Sequence, residues 1–197
     1  YSPDFVWEIY SRYCDGATRI LDPFSGSGTT PITVMGLGKV GLYSDVNPLC
    51  IFIIEAKVLA RKLEVSQRTA VSDQLRQLGS RATFLIKSSA PDVGLQNSYK
   101  ATFGKSAFFD EHQYDAILRI RSVLDQIQDR DVAKFATMAA IRSLIPASLL
   151  IRRGDLRFKT PAESVKKSNG VVQTFVESLE LIAADLMEIG TSSGAAE

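Results

Sequence analysis

The chain has 197 residues, 45% hydrophobic and 23% charged, which supplies a packed core and excludes a disordered or fibrous protein. Its 23 basic and 22 acidic residues leave a formal net charge of +1, so overall charge makes no case for nucleic acid. No uncharged stretch reaches the roughly 18 apolar residues of a membrane span, and the two cysteines, Cys14 and Cys50, have neither metal-ligand nor disulfide spacing. A cytoplasmic protein without metal is the expectation.

In chain order, a helix is expected from Pro3 to Tyr13. Arg19 to Asp22 is a short strand ending in an acid, and a glycine-rich turn follows. Thr29 to Leu37 reads as a helix, and Lys39 to Ser44 as a second strand. Asp45-Val46-Asn47-Pro48 is a turn in which Asn47 can cap the next helix, with Pro48 at its first position. That helix runs from Leu49 to about Leu63. The order strand, helix, strand, helix opens an open α/β sheet.

The remainder reads as helical. Ser66 to Lys87 has helical propensity, and Ser88 to Lys105 reads as a Gly/Pro/Ser/Asn loop. Tyr114, Ile117, Ile120, Leu124 and Ile127 recur at helical spacing. Asp129 caps a helix through Phe135, Ala136, Ala139 and Leu144, disturbed at Pro146. Val172, Phe175, Val176, Leu179, Ile182, Ala183 and Leu186 mark the last helix. No further strand and no repeat is visible. The expected division is an α/β part at 1–65 and a mainly helical region at 66–197. Two parallel strands make a poor sheet, and the chain opens at Tyr1, so a fragment or a chain that pairs with another is expected.

Asp22-Pro23-Phe24-Ser25-Gly26-Ser27-Gly28-Thr29-Thr30 carries the most information. Glycines after a strand let a ligand approach backbone, and the turn opens a helix with outward N–H groups. A phosphate-binding Walker loop needs a lysine after its last glycine, and none follows Gly28. A dinucleotide loop needs a third glycine where Pro31 stands. A nucleoside ligand without phosphate remains, of which S-adenosylmethionine is the common example; its cationic methionine end suits Asp22. The competing reading is a junction that binds nothing. Asp45 lies 23 positions after Asp22, where an acid accepts hydrogen bonds from ribose hydroxyls; the competing reading is a turn-capping Asp. Gly36-Leu37-Gly38-Lys39-Val40-Gly41 also matches a dinucleotide motif, but it follows a helix and enters a strand, so it is a connecting loop.

Tyr1-Ser2-Pro3 with its helix, Leu21 to Thr30, and Asp45-Val46-Asn47-Pro48 together resemble the amino-methylating DNA methyltransferases of restriction–modification and phage-defence systems. The match covers about Tyr1 to Leu63, a third of the chain. Some RNA guanine methyltransferases carry a similar loop. The resemblance implies a Rossmann-like methyltransferase fold, represented by its first strands and helices, with a helical insertion. Phe108 to Lys159 loosely resembles an insertion in some members of the group. It also implies methyl transfer from S-adenosylmethionine to the exocyclic amino group of adenine or cytosine in double-stranded DNA. Asp22, Pro23, Phe24, Gly26, Ser27, Gly28, Thr29 and Thr30 would line the methionine end of the cofactor. Asp45 would hold the ribose, Asn47 and Pro48 would flank the adenine, and Tyr1, Ser2 and Pro3 would lie at the pocket mouth.

One departure is large. The family's Asp/Asn/Ser-Pro-Pro-aromatic tetrapeptide orients the flipped base and its amino group. The seven prolines here are never adjacent, and neither cysteine follows a proline as a ring-carbon nucleophile would. No catalytic residue is therefore assigned within this chain. The tetrapeptide is expected downstream or on a second subunit. The alternatives are a non-catalytic S-adenosylmethionine-binding or assembly subunit, and an RNA methyltransferase.

Charge is uneven along the chain. Tyr1 to Pro48 holds three basic and five acidic residues, whereas Leu149 to Ser168 holds six basic and two acidic. Arg152, Arg153, Arg157 and Lys159 are candidate DNA-phosphate contacts, against the reading of a solvated loop. His112 reads as a surface residue, and Trp7 and Tyr10 as packing residues.

Overall fold

A computed structural model describes residues 1–104, 107–153, 155–160, 163 and 170–189, apart from the side chains of Arg152 and Arg153. The chain divides into two compact units, one built on Tyr1–Val65 and the other spanning Ser66–Met187. Helix predominates, and the described residues form two two-stranded sheets.

The first unit contains α1 (Pro3–Tyr13), β1 (Arg19–Asp22), α2 (Thr29–Gly36), β2 (Val40–Tyr43) and α3 (Pro48–Lys62). The Ser2 hydroxyl accepts a hydrogen bond from the Phe5 N–H, and Pro3 occupies the first helical position. β1 and β2 pair in parallel, with Ile20 opposite Gly41 and Asp22 opposite Tyr43. Helix α2 lies hard against this sheet, because a Cβ on Gly41 would stand 2.5 Å from the Pro31 carbonyl oxygen. Val34 and Pro31 of α2 are buried, as are Val6 of α1 and Ile54 of α3. Gly28 has a positive φ of 86° and starts α2, and a Cβ there would meet the Ile54 side chain at 2.6 Å. The glycine thus serves both the turn and the seating of α3 beneath it.

The second unit contains α4 (Val65–Ser88), α5 (Val93–Phe103), α6 (Glu111–Asp125), α7 (Arg130–Ala147), β3 (Leu150–Arg153), β4 (Asp155–Phe158) and α8 (Val171–Glu188). Helix α4 buries Val71, Leu75, Ala82 and Ile86, and α8 buries Val171, Phe175, Leu179, Ala183 and Leu186. Both series follow the three-to-four-residue spacing of one helical face. The two helices are joined by the buried Ser72 hydroxyl, which donates to the Ala183 carbonyl at 2.9 Å, and by an Arg76–Glu180 pair at 3.1 Å. Between α6 and α7, Ala136 and Ala139 are fully buried and Ile120 and Phe135 nearly so. The Asp129 carboxylate accepts from the N–H groups of Asp131 and Val132 and starts α7, and Pro146 falls in its last turn.

Two expectations are corrected here. The loop expected from Ser88 to Lys105 contains α5. The Asp92 carboxylate caps it by accepting from the Leu95 N–H, while the Asp92 N–H donates to the Leu118 carbonyl of α6. Tyr99 and Phe103 of α5 pack in a ring cluster with Phe108 and Tyr114, so long-range aromatic contact overrides a composition that reads as loop. The second correction is the antiparallel hairpin β3–β4, in a segment where no further strand was expected. Its signal was the apolar Leu149-Leu150-Ile151 and, after Gly154, the alternation of Leu156 and Phe158 with Arg157. Trp7 is also corrected: it is about half exposed instead of packed.

Candidate functional site

Asp22 and Asp45 stand at the carboxyl ends of the paired strands β1 and β2, where an open parallel sheet leaves a crevice for ligands. The Asp22 carboxylate accepts from the Phe24 N–H at 3.0 Å and so bends the chain into the glycine loop. The buried Ser25 completes the turn: its hydroxyl donates to the Asp22 carbonyl at 2.7 Å, and its N–H donates to the Ser44 carbonyl at 3.1 Å. The Gly28 N–H then donates to the Ser25 carbonyl at 2.8 Å. Gly26, with φ 51°, has open space on the side where a Cβ would stand.

The two halves of the site are linked directly. The Gly26 N–H donates to one Asp45 carboxylate oxygen at 2.9 Å, and the Asn47 N–H donates to the other at 2.8 Å. These two backbone donors, Asn47 first and Gly26 second, hold the Asp45 carboxyl below its ordinary value. Each oxygen retains a lone pair for a further donor. An ionised carboxylate that fixes a glycine loop can therefore still accept hydrogen bonds from two hydroxyls.

The other sequence-predicted residues divide. Phe24 is 80% exposed beside the loop, and Pro23 is also exposed. Ser27 presents its carbonyl to the Lys57 ammonium at 2.7 Å. Thr29 opens α2. Asn47 caps α3 by accepting from the Leu49 N–H at 3.0 Å, with Pro48 at the first helical position. Ser2 and Pro3 start α1, as its cap and its first residue. Tyr1 and Thr30 line an apolar cleft of about 120 Å³ between α1 and the β1–α2 layer, together with Phe5, Val6, Ile20 and Val34. Neither Asp22 nor Asp45 lines that cleft.

Sequence reasoning missed four contributors. Ser25 and Ser44 form the loop's internal bonds, and no spacing announces them. Lys57 follows Ile54 by three residues on α3, so Ile54 seats Gly28 while Lys57 reaches the Ser27 carbonyl; that spacing was the available signal. Val46, between Asp45 and the α3 cap, is 98% exposed and adds apolar surface next to the carboxylate.

The basic candidates lie in the second unit. Arg157 makes a forked pair with Glu163, both bonds 2.9 Å, and Lys159 donates to the Ser148 carbonyl at 2.6 Å. The Arg157 fork, with the Thr160 N–H and hydroxyl that also donate to the carboxylate, pulls the Glu163 carboxyl down to about 2. Arg152 and Arg153 lie on β3, with side chains outside the described part, and Lys166 and Lys167 also lie outside the described residues. No group of three or more metal-ligating side chains that could hold an ion occurs among the described residues, and no described helix is long and apolar enough to cross a membrane.

No protein-family model matches the chain, and no curated protein or solved structure matches it either.

Proposed function

We propose that the Tyr1–Val65 unit binds S-adenosylmethionine as part of a Rossmann-like DNA amino-methyltransferase. The Gly26–Asp45 hydrogen bond carries this reading. It brings a glycine loop and an ionised acid together past the ends of adjacent parallel strands, the position from which such an acid meets a ribose. The donor set fits the group. Asp45 offers two oxygens to vicinal hydroxyls, Asp22 offers negative charge to the cationic methionine end, and Phe24 and Val46 offer apolar cover to the base. The cofactor, when bound, supplies an electrophilic methyl group; these residues hold and orient it.

The tetrapeptide that would orient an acceptor amino group is not among these 197 residues. The catalytic step then needs a further polypeptide segment, and double-stranded DNA is the proposed substrate of the assembled enzyme. Positioning supplies roughly 7–11 kcal/mol of such a barrier reduction. The chain alone is therefore expected to bind cofactor and to transfer no tritiated methyl group to DNA.

Calorimetric titration with S-adenosylmethionine tests the site. Asp45→Ala is expected to weaken binding roughly ten- to a hundredfold, the range for hydrogen bonds to a charged group. Equal affinity in wild type and variant removes Asp45 from the site. Cofactor binding with no effect on DNA methylation in any assembly favours an S-adenosylmethionine-binding assembly subunit, and methyl transfer to tRNA instead of duplex DNA favours an RNA methyltransferase.

A further inference from the structure

The peptide group that joins Ser27 to Gly28 ends the glycine loop and leads straight into α2. Flipping a planar peptide group turns its carbonyl and its N–H over together, and the φ of the following residue changes with them. That following residue is Gly28, at φ 86°. Glycine adopts positive and negative φ about equally well, so backbone sterics do not choose between the two orientations. Contacts have to choose.

Three contacts meet on this group. The Gly28 N–H donates to the Ser25 carbonyl at 2.8 Å, a bond internal to the loop. Ile54 of α3 fills the space beside Gly28, where a Cβ would stand 2.6 Å from it. Three residues along the same helix, the Lys57 ammonium donates to the Ser27 carbonyl at 2.7 Å. This last bond answers a deficit written in the sequence. The Gly28 carbonyl accepts from the N–H four residues on, that of Ile32. Four residues on from Ser27 stands Pro31, which has no N–H to offer. Lys57 supplies from α3 the donor that Pro31 removes from α2, and its charge makes the bond stronger than a neutral one.

The grip comes from one side. Ile54 and Lys57 both approach from α3, whereas nothing stands within 4 Å of the place where a Gly26 Cβ would lie. In the flipped orientation the Ser27 carbonyl leaves Lys57 and the Gly28 N–H leaves the Ser25 carbonyl, so two bonds of the loop are lost together. We propose that Lys57 is a positioning residue for the cofactor loop: its bond to the Ser27 carbonyl selects the peptide orientation in which the loop receives S-adenosylmethionine. This inference rests on the cofactor reading above and assigns to α3 the control of the competent loop.

The test is calorimetric titration of the full chain with S-adenosylmethionine, beside the Ser27 carbonyl-carbon signal in nuclear magnetic resonance. Lys57→Met keeps the apolar stem and loses the donor, while Lys57→Arg keeps a charged donor. Lys57→Met is expected to weaken binding about fivefold, as when the competent fraction of the loop falls to about one fifth. It is also expected to move the Ser27 signal, and Lys57→Arg to return both affinity and signal toward wild type. Thermal melting should stay unchanged in both variants, because the Lys57 side chain is exposed. If the wild type binds S-adenosylmethionine and Lys57→Met matches its affinity, the positioning role fails while the cofactor reading stands. If Lys57→Met weakens binding and leaves the Ser27 signal unmoved, the loss does not pass through the loop and the proposal is overturned. If the wild type binds no S-adenosylmethionine, the cofactor reading fails and takes the role of Lys57 with it.

Discussion

The two units of this chain are held by different means. In the first, the architecture around the candidate site is a set of short hydrogen bonds among Asp22, Ser25, Gly26, Ser44, Asp45 and Asn47, and its buried side chains are small or medium, such as Val6, Val34 and Ile54. Tyr1, Phe5, Trp7, Leu21, Phe24 and Val46 remain exposed. In the second, Leu75, Phe135, Phe175, Leu179 and Leu186 make a helical core of large apolar side chains. Directional bonds position backbone and carboxylates to within a few tenths of an ångström, whereas apolar burial supplies stability without fixing polar geometry. The first unit is organised for placement and the second for cohesion.

The largest expected effect tests cohesion. Phe175 is fully buried on α8, so Phe175→Ala should destabilise the second unit by about 3–5 kcal/mol in denaturant unfolding. A cost below about 1 kcal/mol would show that α8 is not the centre of that core. A smaller effect tests the close approach in the first unit. Gly41→Ala places a Cβ against the Pro31 backbone, which cannot rotate away, and should cost about 1–3 kcal/mol. Hydrogen exchange should show the loss in β1, β2 and α2 while α4 and α8 keep their protection; loss spread evenly over both units would break the comparison.

The smallest effect concerns pH and sharpens the account of placement. The Asp45 carboxyl is held below its ordinary value of 3.8 by the Asn47 and Gly26 N–H groups. A carboxyl depressed in the folded state contributes stability that is present above 3.8 and lost as pH falls through the lower folded value. The amide signals of Gly26 and Asn47 should therefore stay constant from neutrality to pH 4 and shift together only below it. Shifts with a midpoint above 3.8 would mean that the two bonds do not hold the ionised form. Asp45→Asn should abolish the shared transition.

Legibility followed the range of the interactions. Asn47 as a cap, Pro48 behind it, the glycine loop after Asp22 and the acid at Asp45 were readable because each signal lies within a few residues of its effect. The same held for Asp129, for the helical propensity of α4 and for the apolar spacing of α6 and α8. Helix α5 was not readable. Its own residues favour a loop, and it forms because Tyr99 and Phe103 meet Phe108 and Tyr114 while Asp92 bonds to Leu118. Motif position suggests a ligand site for Ser2, Thr30 and Gly28; the structure adds that Ser2 caps α1, Thr30 lines an apolar cleft and Gly28 leaves the space that Ile54 fills.

The sequence by itself determined where strands end in acids, where glycines relax the backbone and which helices have an apolar face, because these depend on local sterics and on periodicity. Only the tertiary structure decided that Gly26 bonds to Asp45, that Lys57 reaches the Ser27 carbonyl, and that Arg157 and Lys159 are spent on holding a hairpin. Those outcomes depend on which distant groups come within hydrogen-bond reach once the elements pack, and the free energy that selects them is summed over the core.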